Sequence, residues 1–318
     1  MSFTFPPRKI LAAFDGSGPG LAALRAAVDL AKTSGADLQV VFASSPPVTV
    51  PYSYDAFDAN AAYALQKECE RLKKDWHETA RAQTRGLPKR RVSLKWISGW
   101  PAETILGTAR TSGADLLVAG THGRSGLGRL FLGSVAEQLV RRSPVPVLCV
   151  HEGTSLKGGI LAPYNLRTYA EPALLFALDL GAASGRPVTA LYVAEEGEKA
   201  PQAQLELAVR LETRLGQRAA RGVEYKVRRG DPRVEIAKEA ARGRYGLVVL
   251  SSHVKPTLAD RALGSTAERL LRKARVAVLA MPAETAAPRG RRAAVRTRRD
   301  TGGTHGSLRR PAAHRAVR

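Results

Sequence analysis

The sequence predicts an α/β protein built as two tandem doubly wound domains, each on a five-stranded parallel sheet. Three observations carry this. At 318 residues the chain is long for one such domain and comfortable for two. Short apolar runs alternate with amphipathic helical stretches, the pattern of strand–helix–strand units. The second half also repeats the first.

The repeat is read at fixed spacing. Gly99-Trp100-Pro101 and the stretches 114–118, 132–139 and 145–148 recur as Gly230-Asp231-Pro232, 245–249, 263–270 and 276–279, every pair 131 positions apart. The starts match at a different offset, since 9–15 parallels 159–165, 150 positions away. The first copy therefore holds about nineteen more residues before its Gly-x-Pro turn, most of them in the Pro/Ser/Tyr-rich stretch 45–59.

In the first copy, the runs 10–14, 38–42, 92–97, 116–119 and 145–150 are short and rich in β-branched residues, as buried parallel strands are. Helical patterns lie between them at 20–34, about 59–85, 102–111 and 133–142. Leu24, Ala27, Val28 and Ala31 give the first helix an apolar stripe at i, i+3, i+4, i+7. Parallel neighbours require right-handed crossovers. Pro144 and Pro146 bracket the last strand and place it at a sheet edge. The domains read as 1–151 and 159–282, with a linker at 152–158 and a tail at 283–318.

Composition excludes several classes. Cys69 and Cys149 are the only cysteines, with no CxxC and no His/Cys cluster, so neither a disulfide framework nor a zinc site is indicated. Residues 1–8 hold no signal-like apolar core, and no run approaches the roughly 18 apolar residues of a membrane span. A cytoplasmic protein with no membrane partner is the expectation. The net charge of +22 suggests nucleic acid at first sight, but ten Arg of the tail stand against only Glu284 and Asp300, leaving +14 on the body. The tail has too few large apolar residues to offset its ordering entropy and reads as disordered. It is either a solvated basic segment or a weak contact for nucleic acid.

The chemistry-bearing motif follows the fourth strand: Gly120-Thr121-His122-Gly123, nine residues, then Gly133-Ser134. Ligands of open α/β sheets bind beyond the carboxyl ends of the strands. Glycines let backbone N–H groups approach an anion, and Gly133-Ser134 opens a helix whose free N–H groups attract phosphate. Commoner nucleotide motifs are missing. Gly128 to Ser134 lacks the Walker lysine, and Gly16-Ser17-Gly18-Pro19-Gly20 has Leu21 where a dinucleotide fingerprint needs glycine. Phe14, Ser98 and His151-Glu152 stand where a phosphoacceptor receiver domain needs acids and a lysine.

G-x2-G-x9-G-[S/T], filled by Gly120, Gly123, Gly133 and Ser134, resembles the ATP-binding signature of the universal stress protein family. The start Ala13-Phe14-Asp15-Gly16-Ser17, the Gly99-Trp100-Pro101 turn and the ending Ser143-Pro144-Val145-Pro146-Val147 are similar to the same family. The resemblance implies a Rossmann-like fold of the adenine-nucleotide α-hydrolase type. It also implies a regulator that binds ATP, alone or with Mg, and turns it over slowly or not at all. Alternatives are an ATP-hydrolysing or nucleotidyl-transferring enzyme, or a nucleic-acid-associated protein working through the tail.

By the same resemblance, Asp15 faces ribose or a metal-bound water, and Val41 offers backbone hydrogen bonds to adenine. Gly120, Gly123 and Arg124 wrap ribose and phosphates together with Gly133, Ser134 and Val135. From the residues themselves, His122 has no nucleophile or partner acid beside it in sequence and reads as a turn-stabilising histidine rather than an acid or base. By the resemblance again, the last strands of the two copies pair antiparallel within the chain as a pseudo-dimer, with a homodimer also open. In the second copy Asn165, Ser251 and Val254 replace Asp15, Gly120 and Gly123, while Gly264 and Ser265 survive. A β-branched residue disfavours the close backbone approach of a phosphate loop. Nucleotide is therefore expected in the first copy alone.

Overall fold

The computed structural model describes residues 5–44, 59–122, 132–194, 202, 205, 208, 209, 212, 213, 223–252 and 264–282. In the first half the order is β1 (Lys9–Ala13), α1 (Gly18–Ser34), β2 (Asp37–Ser44), α2 (Ala59–Thr84), β3 (Val92–Ser98), α3 (Pro101–Ser112), β4 (Leu116–Gly120), α4 (Ser134–Arg142) and β5 (Val147–Val150). The second half runs β6 (Gly159–Pro163), α5 (Glu171–Ser184), β7 (Val188–Ala194), β8 (Val223–Arg229), α6 (Pro232–Ala240), β9 (Tyr245–Ser252), α7 (Ser265–Lys273) and β10 (Ala277–Pro282). The tail 283–318 and the stretch 45–58 lie outside the described residues.

Local chemistry sets the boundaries. The Ser17 hydroxyl oxygen accepts the Gly20 N–H at 3.1 Å and Pro19 sits in the first turn, so α1 starts where its orphan donors find a cap. Gly35, at φ 75°, ends it in the left-handed conformation that glycine adopts without strain. The strand β5 begins at Val147 rather than at 145, because the Ser143 side chain holds Val145 in a turn through both its N–H and its carbonyl.

Two separate five-stranded sheets are not what forms. The chain makes one mixed ten-stranded sheet in the order β3-β2-β1-β4-β5-β10-β9-β6-β7-β8. The cause is the edge pairing of β5 with β10, antiparallel, with Cys149 opposite Val278, Leu148 opposite Leu279 and Val147 opposite Ala280. Pro146 precedes the paired residues, so its missing N–H costs nothing there, and its carbonyl accepts the Leu117 N–H at 2.9 Å. Within each half the strands are parallel. The antiparallel joint therefore puts the carboxyl ends of one half's strands on the same rim as the amino ends of the other's.

Two cores cover the sheet, each continuous across both halves. The side chains of β1 alternate, Ile10 and Ala12 to one face and Leu11 to the other. On the first face lie α1, α2 and α5, with Leu24, Trp76 and Leu174 buried. On the second lie α3, α4, α6 and α7, with Leu106, Leu139, Ile236 and Leu270. Phe5, ahead of β1, packs edge-to-face on Phe176 of α5 at 5.7 Å and ties the halves a second time.

The halves also differ inside. Glu239 of α6, 1% exposed, receives Lys226 at 2.7 Å, Arg228 at 3.0 Å and the Tyr245 hydroxyl at 2.9 Å. Burial pushes its carboxyl up, but the hydrogen bonds from Lys226, Arg228 and Tyr245 outweigh that and hold it at about 2. The matching position of the first half is Thr108, whose hydroxyl bonds back to the Thr104 carbonyl.

The register makes one joint testable. A Val278→Cys substitution in a Cys69→Ser background places a cysteine opposite Cys149, at the Cα separation of antiparallel neighbours that a disulfide can span. Refolded in oxidising buffer, the protein should carry a disulfide within a single chain and melt above its reduced form. Crosslinks found only between chains, or an oxidised chain that does not regain its circular dichroism, would show that β5 and β10 do not meet as described.

Candidate functional site

A cleft of about 510 Å³ opens at the carboxyl ends of β1, β2 and β4, beside the start of α4. It sits where the strand order reverses: from β1 the chain steps to β2 on one side and β4 lies on the other. The helices after β1 and β4 pack on opposite faces, so their first turns part and leave a crevice.

The start of α4 is the strongest feature. Gly133 is its N-cap, with no side-chain cap, and the first intrahelical bond is Glu137 N–H to the Gly133 carbonyl at 2.9 Å. The N–H groups of Ser134, Val135 and Ala136 are thus left without helical acceptors, and these residues line the cleft. Gly133 donates its own N–H to the Thr121 carbonyl at 2.6 Å, and a Cβ there would lie 3.0 Å from that same oxygen. The glycine lets the end of β4 pin the helix start.

The start of α1, across the crevice, is already neutralised. Ser17 caps it, and the Asp15 carboxylate accepts both the Ser17 N–H at 3.0 Å and its hydroxyl at 2.5 Å. The Glu152 carboxylate occupies the space that a Cβ on Gly18 would need. Two helix dipoles point at the cleft region; the carboxylates of Asp15 and Glu152 already sit at the start of α1, while the acid in the first turn of α4, Glu137, is paired with Arg141 at 2.7 Å.

Gly120 has a use that the sequence does not display. A Cβ on it would lie 2.7 Å from the Pro19 carbonyl carbon and 2.8 Å from the Gly20 nitrogen, so its bareness lets the first turn of α1 sit against the end of β4. In the second half Ser251 takes this place, and its hydroxyl donates to the Tyr169 carbonyl at 2.8 Å. Tyr169 belongs to a 3-10 turn, Thr168–Ala170, that replaces the first turn of the helix there. The Asn165 amide, at the position of Asp15, donates to the Tyr169 hydroxyl.

The inner wall is apolar, with the Phe42 and Trp96 rings 4.0 Å apart and Leu72 and Cys69 of α2 beside them. One polar edge interrupts it. The Val41 carbonyl accepts the Phe14 N–H at 3.0 Å, and the Ser44 carbonyl accepts the Gly99 N–H at 2.8 Å. Alternate residues of a parallel strand address opposite neighbours, so Ala43, like Val41, faces β1. The β1–β2 ladder stops at Ala13 opposite Val41, and the Phe14 carbonyl is taken by the Trp76 indole N–H at 2.8 Å. Among the described residues, the N–H and carbonyl of Ala43 therefore open onto the cleft. No sequence pattern marks Ala43, because its exposure depends on where the neighbouring strand ends.

Thr121 is fully buried, its hydroxyl 3.0 Å from Nδ1 of His122 and 3.1 Å from Nδ1 of His151. One hydroxyl proton cannot serve both rings, and the Val150 carbonyl at 3.5 Å is a further acceptor for it, so at least one imidazole donates to the Thr121 oxygen. Burial, with His122 nearby, pushes His151 down to about 4. This hydroxyl has two imidazoles beside it but no access to a substrate.

Of the residues singled out in sequence, Asp15, Val41, Gly120, Gly133, Ser134 and Val135 share this cleft. Gly123 and Arg124, with Val254 of the second half, lie outside the described residues. Among the described residues no three or more His, Cys, Asp or Glu gather as metal ligands, and no helix is long and apolar enough to cross a membrane.

Comparison with known proteins matches the universal stress protein family twice, at residues 7–151 and 159–282. A universal stress protein of Thermus aquaticus is 40% identical over 144 residues, 45% of this chain and 98% of its own length. A Bacillus subtilis universal stress protein is 32% identical over 144 residues, again 45% of this chain and 97% of its own. Among solved structures, a universal stress protein from Archaeoglobus fulgidus superposes with a TM-score of 0.66 at 20% identity, covering 88% of this chain and 100% of its own. A putative universal stress protein from Pseudomonas aeruginosa gives 0.61 at 18%, with coverage of 87% and 94%. These two structures share the fold across both halves.

Gly120→Ser, which imports the residue of the second half, should force the first turn of α1 outward. Overpacking of this kind costs about 1–3 kcal/mol, a loss of several degrees in melting temperature. An unchanged melting temperature would mean that α1 does not rest on Gly120.

Proposed function

The chain belongs to the universal stress protein family, and on that premise we propose that it is an ATP-binding regulator holding one nucleotide, in its first half. The observation that carries this is the uncapped start of α4 inside the cleft, opposite a helix start already covered by carboxylates. A phosphate chain is the ligand that such an end attracts.

The cleft residues fit the parts of the ligand. The N–H groups of Ser134, Val135 and Ala136, with the Ser134 hydroxyl, take phosphate oxygens. Gly123 and Arg124 complete the wrap from the loop, and Asp15 lies on the ribose side, where it would also meet Mg if the metal accompanies ATP. Val41, expected to offer backbone bonds to adenine, has its carbonyl taken by the Phe14 N–H and only lines the cleft, so the hydrogen bonds to the adenine edge come instead from the open backbone of Ala43. The second half keeps Gly264 and Ser265 at the start of α7, but Ser251 and Asn165, both bonded to Tyr169 of the 3-10 turn, stand where the first half has Gly120, Asp15 and the first turn of α1. It serves as scaffold.

In this reading the buried Thr121 hydroxyl and His122, tied to it, hold the turn and take no part in chemistry. Binding would then bias the chain's conformation or its choice of partner, in the cytoplasm.

Calorimetric titration should find one ATP per chain, with phosphate release far below the roughly 1–10³ s⁻¹ of ordinary enzymes. Two equivalent sites would contradict the assignment to the first half, and fast hydrolysis lost in Asp15→Ala would make the protein an ATPase.

A further inference from the structure

Trp100 breaks a local rule. It is the most exposed large apolar side chain among the described residues, at 69%, and it stands at the N-cap of α3, where it makes no side-chain cap. An indole has a donor and no acceptor, so it cannot satisfy the free N–H groups of a helix start. The matching position of the second half shows what serves the helix best. There Asp231 accepts the Arg233 N–H at 2.8 Å and caps α6. The first half thus forgoes a cap and exposes an aromatic ring. Positions that sacrifice local stability in this way are expected at functional sites.

Its place in the fold says which site. The preceding residue, Gly99, donates its N–H to the Ser44 carbonyl at 2.8 Å, and Ser44 lines the cleft. The next residue, Pro101, lines it too, as does Ile105 one turn on. Trp100, between Gly99 and Pro101, therefore stands at the edge of the cleft whose lining includes Ala43, Phe42 and Trp96.

We propose that Trp100 is the outer wall of the base subsite, its indole closing over the cleft to stack on the base of the bound nucleotide. This rests on reading the cleft as a nucleotide site. Phe42 and Trp96 form the inner wall, Ala43 addresses the edge of the base, and Trp100 covers the face that would otherwise meet water. Stacking of an aromatic side chain on a base strengthens binding by about tenfold or more, and it tolerates any flat ring. The second half, with Asp231 in this place, has no such wall.

The test uses the full chain with two variants, Trp100→Asn and Trp100→Phe. Asparagine restores a neutral cap, so the ligand-free variant should melt at or a few degrees above the wild type, which shows that it folds. Its affinity for ATP should fall about tenfold, while Trp100→Phe keeps most of the affinity. Inorganic tripolyphosphate, which has no base, should bind wild type and Trp100→Asn equally. If wild type binds ATP and Trp100→Asn binds it equally well, the stacking role is wrong and the nucleotide reading stands. If tripolyphosphate is weakened as much as ATP, Trp100 does not act on the base. If wild type binds no adenine nucleotide at all, both readings fall.

Discussion

The pairing of β5 with β10 is the contact on which the rest depends. Each half ends in a short strand whose outer backbone groups have no partner within that half, and an open edge of this kind must be paired or protected. Joining them antiparallel satisfies both edges at once. It also aligns the pleats. Val147, Cys149, Val278 and Ala280 enter the core on one face of the sheet, while Leu148 and Leu279 enter the other. Neither core stops at the joint, so the two halves share one sheet and two common layers of side chains.

That constraint separates what each half must keep from what it can lose. To hold its partner, the second half needs only β10, the core positions and the helices that cover them. Nothing in the joint requires a nucleotide cleft. The divergence falls accordingly. The backbone of the Gly133 N-cap, at φ −61° and ψ 146°, is nearly repeated at Gly264, at −58° and 138°. Around that shared helix start, Ser251 replaces Gly120, a 3-10 turn replaces the first turn of α1, and Asp231 replaces Trp100. The scaffold is common, and the fittings of the cleft differ.

Much of this was legible in the sequence. Periodicity placed the strands and helices of the first half within a few residues, because buried strands and amphipathic helices leave different apolar spacings. The glycine motif pointed to the end of β4 and the start of α4. Other features are not written as patterns. Apolar spacing does not specify which edge meets which, so the antiparallel pairing of the two last strands is expected from the family resemblance alone, and its consequence, one merged sheet, is not part of that expectation. Ala43 opens to the cleft only because β1 stops two residues earlier in the ladder. Gly120 reads as part of an anion loop, and no motif shows that a Cβ on it would lie 2.7 and 2.8 Å from Pro19 and Gly20, far from it in sequence. Trp100 stood in plain view inside the Gly-x-Pro turn, but only the helix it fails to cap makes it unusual.

The central claim is that the start of α4 in the first half, and not the start of α7 in the second, anchors the phosphates. Amide hydrogen exchange with and without ATP tests it most directly, because the orphan N–H groups themselves are observed. ATP should slow exchange at Ser134, Val135 and Ala136 and leave Ser265, Thr266 and Ala267 unchanged. Equal protection at both helix starts, or none at Ser134 to Ala136 under saturating ATP, would contradict the account.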